Sequence, residues 1–127
     1  MAVLQKTLAT IILSGLVSIE VAPHAWATET GLSVREQGKA LTFSREKGNC
    51  LSCHKIDDGV LYGDFGPPLV DLQTRFKDRA ALRAQIRDAT IQNPETSMPP
   101  YGRHRILTDE EISKIVEYIW TLRNLTR

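Results

Sequence analysis

The chain has 127 residues, of which 42% are hydrophobic, and its 16 Lys and Arg against 15 Asp and Glu give a net charge of +1. This length accommodates one small domain. The balanced charge argues against a nucleic-acid-binding or membrane-surface protein.

The first 27 residues are predicted to be a secretory signal peptide. Its apolar run, Leu8 to Ile19, has twelve residues, whereas a membrane-spanning helix needs about 20. Ala25-Trp26-Ala27 has the small-x-small pattern of a cleavage site. An uncleaved anchor is the alternative, and the short run disfavours it. Cleavage would leave residues 28–127 as a single domain in the periplasm, without a membrane span.

The mature chain is predicted to be all-α, with three main helices and two long loops. The first helix covers Val34 to Arg45, with Val34, Ala40, Leu41 and Phe43 as apolar contacts. A glycine inside a helix costs about 1 kcal/mol relative to alanine. We therefore expect Gly38 to serve a close crossing with another helix.

Turn residues dominate the next segment, Lys55 to Leu72, which has neither helical nor strand periodicity and is predicted to be a loop. Asp78 is a suitable N-cap for a second helix that continues to about Ala89. The apolar face of this helix is predicted to consist of Leu82, Ile86 and Ala89. A second proline-rich loop around Met98 follows.

The last helix has the clearest sequence signature. Thr108 and Glu111 have the spacing of a capping box, in which each side chain satisfies a backbone N–H of the other residue. Apolar residues then recur with helical spacing and predict one buried stripe. These residues are Ile112, Ile115, Val116, Ile119 and Leu122.

The clearest candidate for a cofactor-binding site is the pentapeptide Cys50-Leu51-Ser52-Cys53-His54. C-x-x-C-H is the attachment signature of haem c, in which both cysteines form thioethers and the histidine binds the iron. The alternatives are a structural disulfide, a thioredoxin-like redox pair and a zinc site. The absence of a βαβ pattern argues against the redox pair, and a zinc site lacks further cysteines. We predict one covalent haem c at Cys50 and Cys53, with His54 as an axial ligand.

Met98 is the predicted second axial ligand. A low-spin electron-transfer haem usually has His or Met in this position, and Met raises the reduction potential. Met98 is the only methionine besides the initiator, and it lies 44 residues after His54 among prolines. A methionine that fills the core is the alternative. His104 is an alternative ligand, but it is more simply interpreted as a surface histidine in a basic stretch.

Two further features have both a structural and a functional interpretation. A carbonyl of Gly66-Pro67-Pro68-Leu69 is positioned to accept the Nδ1 proton of His54 and fix the ring, or the segment is an ordinary turn. Residues 75–105 carry a local charge of +4. This basic segment is by default a solvated face, and otherwise it neutralises haem propionates or binds an acidic partner. Arg103 and Arg105 are favoured for that role because they flank the Met98 loop.

Five stretches of the chain together resemble the SoxX family of small c-type cytochromes: G-N-C-L-S-C-H, G-D-F-G-P-P-L, R-F-K-D-R-A-A-L-R-A-Q-I-R-D-A-T, N-P-E-T-S-M-P-P-Y-G-R-H-R-I-L-T-D-E-E-I and I-V-E-Y-I-W-T-L. The resemblance implies a class I cytochrome c fold, in which Gly38 and Tyr118 mark the crossing of the first and last helices. It implies haem attachment at Cys50 and Cys53, with His54 and Met98 as axial ligands.

The resemblance also implies a function. SoxX forms a periplasmic heterodimer with SoxA, and the SoxXA complex couples thiosulfate oxidatively to a cysteine of the carrier SoxYZ. SoxX accepts electrons from SoxA and passes them to a soluble cytochrome c. The chain would thus be a subunit of an L-cysteine S-thiosulfotransferase without catalytic residues of its own. The alternative function is a free-standing monohaem cytochrome that delivers electrons to a terminal oxidase.

Overall fold

A computed structural model describes residues 31–123 of the chain. Three α-helices occur in order: α1 (Val34–Phe43), α2 (Arg79–Arg87) and α3 (Asp109–Ile119). Single turns of 3-10 helix lie at Cys50–Ser52, Leu72–Thr74 and Ala89–Ile91, and this part of the chain contains no strand. The predicted all-α class with three main helices is confirmed.

The predicted signal peptide lies outside the described residues. None of the helices within residues 31–123 is both long and apolar enough to span a membrane.

Side-chain caps define where the helices begin. The predicted capping box of α3 is present, because Thr108 accepts from the Glu111 backbone and the Glu111 carboxylate accepts from the Thr108 backbone. Asp78 caps α2 as predicted. At α1, Ser33 and Glu36 form a second capping box that the sequence analysis had not identified.

Two helix ends differ from the predictions. The first helix was expected to reach Arg45 but ends at Phe43, where Ser44 adopts an extended conformation. The second was expected to reach about Ala89 but ends at Arg87. Helix α2 ends here because Asp88 caps a separate 3-10 turn: its carboxylate accepts a hydrogen bond from the backbone N–H of Thr90.

Helices α1 and α3 cross at Gly38, as predicted. A Cβ atom on Gly38 would overlap the backbone carbonyl of Lys114 and approach the Tyr118 Cβ to 3.0 Å. Thr42 continues this face one turn later, fully buried, with its hydroxyl donating to the Gly38 carbonyl over 2.7 Å. The missing side chain therefore allows the two helix backbones to touch.

The predicted apolar contacts of α1 are only partly correct. Leu41 and Phe43 are half-buried against the core, but Val34 is 52% exposed and Ala40 is also exposed. The buried positions of α1 are instead Gly38 and Thr42. Small residues occupy this face because a close crossing leaves no room for branched side chains.

Helix α3 forms the centre of the core. All five residues of its predicted stripe are buried, although Leu122 lies just beyond the helix end. Tyr118 is also buried, and its hydroxyl donates to Asp57 over 2.9 Å. On α2, Leu82 and Ile86 are buried. The core therefore extends from α3 toward α1 on one side and α2 on the other.

Much of the basic segment pairs with acidic residues of α3. Arg79 lies 3.2 Å from a Glu117 oxygen, and Arg83 lies 3.2 Å from an Asp109 oxygen. Arg87 also contacts the Asp109 carboxylate. These ion pairs attach α2 to α3, so most of the positive charge of α2 is balanced within the protein.

Candidate haem-binding site

A cavity of about 400 Å³ lies between α2, α3 and two loops. The four predicted site residues, Cys50, Cys53, His54 and Met98, all line it. Its volume is in the usual range of cofactor sites. The apolar part of its wall comes from both helices and the segment before α2, with Leu72, Phe76, Leu82, Ile86, Ile115 and Ile119.

The attachment pentapeptide forms a tight turn at one wall of this cavity. Asn49 initiates it in the left-handed conformation, with φ 45°, which Asn tolerates better than most residues. The N–H groups of Cys53 and His54 then both donate to the Cys50 carbonyl, over 3.2 and 2.9 Å. The turn thus directs both thiols and the imidazole toward the cavity.

The partly buried position of Cys50 affects the acidity of its thiol. Desolvation raises the pKa of Cys50 to about 12, so the thiol is neutral at physiological pH. A redox-active cysteine needs a lowered pKa, and the environment of Cys50 acts in the opposite direction. The described residues also contain no group of three His, Cys, Asp or Glu side chains that would hold a metal ion. The redox-pair and zinc alternatives are therefore disfavoured.

His54 is oriented by the loop of residues 55–71, here called the Pro67 loop. Its Nδ1 lies 2.7 Å from the Pro67 carbonyl oxygen. Because a carbonyl only accepts, Nδ1 carries the proton, and Nε2 of the neutral ring has a free lone pair for a metal. The predicted carbonyl contact is confirmed, and Pro67 provides it.

Gly66 makes this contact possible. A Cβ atom at Gly66 would overlap the imidazole ring of His54. The backbone therefore lies flat against the ring, and the Gly66 N–H donates to the Cys53 carbonyl over 2.8 Å. The flat group that Gly66 contacts is therefore the imidazole of His54.

Met98 lies in the second loop, residues 93–107, here called the Met98 loop. Its backbone N–H donates to the Thr96 hydroxyl over 3.2 Å, and the half-buried side chain contacts the core. An internal ion pair anchors the loop: Arg103 lies 3.2 Å from the Asp88 carboxylate, which is 7% exposed. Hydrogen bonds from Thr90 and the charge of Arg103 lower the pKa of Asp88.

The two histidines within residues 31–123 have different environments. His104 is exposed and does not line the cavity, which disfavours it as an iron ligand and agrees with the surface interpretation. Trp120 does not line the cavity either, and the Arg79 guanidinium lies 5.4 Å from its ring centre.

The arginine at the cavity is Arg75. The sequence analysis had favoured Arg103 and Arg105 for neutralising a haem propionate. Arg103 is committed to Asp88, and Arg105 is exposed away from the cavity lining. Arg75 does line the cavity, and desolvation lowers its pKa. Its position eight residues after Pro67 was too far along the chain for the sequence to indicate a contact with that loop.

Apolar side chains are exposed on the Pro67 loop beside the cavity. Val60, Leu61, Tyr62 and Phe65 are 74%, 94%, 45% and 85% exposed. Leu61 adopts φ 56°, a conformation that is strained for a branched side chain. A cluster of exposed apolar residues is typical of an interaction surface.

The residues present fit a covalently bound haem. Two cysteines, an imidazole with a free Nε2 and a thioether surround one apolar cavity, and a glycine keeps space for the imidazole. Arg75 also lies at the cavity wall. It has no carboxylate partner among the described residues, so its positive charge suits the acidic groups of the cofactor.

Comparisons with known proteins agree with this site. The chain is similar to a chain in the crystal structure of SoxXA from P. pantotrophus, with a TM-score of 0.63 and 25% identity over 71% of this chain and 82% of that chain. It is 35% identical over 75 residues to an uncharacterized lipoprotein of Aquifex aeolicus (strain VF5). That match covers 58% of this chain, which spans only 36% of the lipoprotein's length.

The fold and the cavity define the class of protein, a c-type cytochrome that binds haem c covalently and acts in electron transfer. The family model described as cytochrome C oxidase, cbb3-type, subunit III matches residues 35–119, and the chain belongs to this family. Its likeness to SoxXA confirms the expected SoxX-like cytochrome with a class I fold.

Proposed function

We propose that this protein is the monohaem electron-relay subunit of a SoxXA-type complex. Cys50 and Cys53 would attach the haem, and His54 and Met98 would ligate its iron. The observation that carries the proposal is the convergence of these four residues on one cavity, with the Nδ1 proton of His54 donated to Pro67.

The bound haem supplies a one-electron carrier, and the residues of this chain adjust it. Pro67 fixes the tautomer of His54, which directs Nε2 into the cavity and increases its basicity as a ligand. Met98 provides a soft thioether that favours the reduced iron and raises the potential. The apolar wall from α2 and α3 excludes water from the carrier, and Arg75 offers a cation to its carboxylates.

The proposed partner is SoxA, which would donate electrons in a heterodimer. SoxYZ and a soluble cytochrome c would be transient partners, and thiosulfate would be the substrate of the whole complex. The structural likeness to SoxXA supports this assignment, as does the exposed apolar cluster of the Pro67 loop. We assign no catalytic residue to this chain. It would act in the periplasm after cleavage of residues 1–27, and the name of its lipoprotein relative is compatible with a location outside the cytoplasm.

Substitution of Met98 tests the axial ligands. Met98→Ala should abolish the thioether-to-iron charge-transfer absorption and lower the reduction potential by a sizeable part of the roughly 0.8 V range that axial ligands span. The control is His104→Ala, which should leave both properties unchanged. An unchanged potential in Met98→Ala, or a changed one in His104→Ala, would contradict the assignment. The mass of the mature protein would test both the thioethers and cleavage after Ala27.

A second function, electron delivery to a terminal oxidase, has one observation in its favour: the matching family is described as an oxidase subunit. Native purification separates the two functions. The SoxXA role predicts co-purification with a larger haem-containing subunit and loss of thiosulfate oxidation on gene deletion. A protein that purifies alone, or with oxidase subunits, and whose deletion leaves thiosulfate oxidation intact would favour the oxidase role.

A further inference from the structure

We propose that Arg75 is a positioning residue that holds the Pro67 loop in the conformation in which it accepts the His54 proton. The proposal rests on His54 as the iron ligand assigned under the proposed function. It concerns a residue outside the attachment motif that contacts neither the imidazole nor the two cysteines through any hydrogen bond of the described structure.

Three hydrogen bonds join the Pro67 loop to the attachment turn. The Gly63 N–H donates to the Leu51 carbonyl over 2.9 Å, and the Gly66 N–H donates to the Cys53 carbonyl over 2.8 Å. The third bond is donated by His54 Nδ1 to Pro67 over 2.7 Å. Within the loop, the Leu69 N–H donates to the carbonyl of Lys55, the residue after His54, over 2.9 Å. The ligand-orienting contact is thus the centre of a short ladder.

The two prolines interrupt this series of backbone hydrogen bonds. Pro67 and Pro68 have no N–H groups, so neither residue can donate a backbone hydrogen bond that would fix this part of the loop. Arg75 supplies the missing link from outside. Its Nη2 donates to the Pro68 carbonyl over 2.7 Å and approaches the Val70 carbonyl to 3.5 Å.

The backbone of Arg75 is held by a hydrogen bond to a buried residue. It directly follows the 3-10 turn Leu72–Thr74, and its own N–H donates to the Leu72 carbonyl over 3.0 Å. Leu72 is fully buried. The backbone of Arg75 is therefore held next to the hydrophobic core, and its guanidinium links that position to the loop carbonyls.

The partners of Arg75 distinguish it from the arginines of α2. Arg79 and Arg83 pair with Glu117 and Asp109. Arg75 has no carboxylate partner among residues 31–123, and within these residues its side-chain hydrogen bonds go only to carbonyls of the Pro67 loop. Both contacts come from Nη2, whose two N–H groups are fixed in the plane of the guanidinium. A lysine ammonium has the same charge but is a point charge on a flexible four-carbon stem, so it suits this contact less well.

The exchange of the His54 Nδ1 proton with solvent tests this role. It is measured by NMR on the reduced, haem-loaded protein with ¹⁵N-labelled histidine. Arg75→Gln removes both the positive charge and the guanidinium N–H groups, whereas Arg75→Lys keeps the positive charge but not the guanidinium. Both variants should exchange this proton about tenfold or more faster than wild type, because the loop opens more often. Arg79→Gln is the matched control and should exchange at the wild-type rate.

Each other outcome overturns the proposal. If Arg75→Lys exchanges as slowly as wild type while Arg75→Gln is faster, Arg75 acts only as a charge. If neither variant differs from wild type, or if Arg79→Gln is equally fast, Arg75 has no specific positioning role. The wild-type spectrum checks the underlying assignment separately: absence of the ring-current-shifted resonances of an iron-bound His54 would refute the proposed function before any variant is compared.

Discussion

The helix crossing and the cavity wall of this protein are built in different ways. At the crossing, Gly38, Thr42 and Tyr118 are buried and two helix backbones touch directly. At the wall, Cys50, His54 and Met98 are only half-buried and lie outside the α-helices, where a few hydrogen bonds between turns and loops position them. The crossing derives its stability from repeated helical contacts, whereas the wall derives its geometry from individually placed groups. Substitutions should therefore affect the two regions differently.

The largest effect is expected at the crossing. Gly38→Ala should lower the free energy of unfolding by roughly 2–4 kcal/mol, because the new Cβ overlaps the Lys114 carbonyl. Helix propensity alone would favour the alanine by about 1 kcal/mol, so the sign of the change is decisive. Gly31→Ala, with open space around the new Cβ, should change stability by less than about 0.5 kcal/mol. Thermal unfolding of both variants is the measurement, and a stabilised Gly38→Ala variant would disprove the tight crossing.

The next largest effect is expected at Gly66, in the cavity wall. Gly66→Ala should displace the His54 ring and destabilise the haem-loaded protein by about 1–3 kcal/mol, with a changed absorption spectrum. Pro68→Ala keeps every loop carbonyl and should leave the spectrum unchanged. Denaturant titration followed at the haem absorption band measures both. A wild-type spectrum in Gly66→Ala would show that the imidazole has more freedom than the structure indicates.

A smaller effect is expected where the two regions meet. The Tyr118 hydroxyl donates to Asp57 over 2.9 Å and joins α3 to the Pro67 loop. Tyr118→Phe should therefore cost about 0.5–1.5 kcal/mol in unfolding free energy. Tyr62→Phe is the control, because Tyr62 is 45% exposed. Equal unfolding free energies of the two variants would mean that this hydrogen bond does not couple the regions.

The smallest effect is expected at the start of α3 and depends on pH. The ion pair with Lys47, 2.8 Å long, and the Thr108 backbone lower the pKa of Glu111. A carboxyl with a lowered folded-state pKa stabilises the protein at neutral pH, and this contribution disappears as the pH falls through that pKa. Glu111→Gln should cost up to about 1 kcal/mol at pH 7 and nothing in strong acid. Glu110→Gln, at a more exposed ion pair, is the control and should cost less at pH 7. A deficit in Glu111→Gln that stays constant with pH would contradict the ion-pair explanation.

The same division between regions explains what the sequence could predict. Helical periodicity and capping boxes depend on residues three or four positions apart, so the α3 stripe and the Asp78 and Thr108 caps were predicted correctly. The face of α1 was partly wrong because a close crossing selects Gly38 and Thr42 over larger apolar residues such as Val34. The periodicity of α1 alone does not reveal how near the partner helix lies.

The site shows a similar limit. The attachment motif, Met98 and the carbonyl beside His54 were all predicted from short patterns. The hydrogen bond of Arg75 to the Pro68 carbonyl and the Asp88–Arg103 ion pair were not, because each joins segments that approach only in the folded protein. Ion pairs between α2 and α3 involve three of the seven basic residues of segment 75–105, and counting charges along the chain cannot detect such pairing.

The contact between Gly38 and Lys114 also determines the order in which this chain can acquire its structure. The two residues are 76 positions apart, and Lys114 follows Cys53 by 61 positions. At a synthesis rate of about 5–20 residues per second, the second cysteine is made several seconds before the last helix. During that interval the core cannot close, and both thiols remain accessible on an extended chain. The thiols that the finished fold partly buries are thus accessible until the last helix packs against the first.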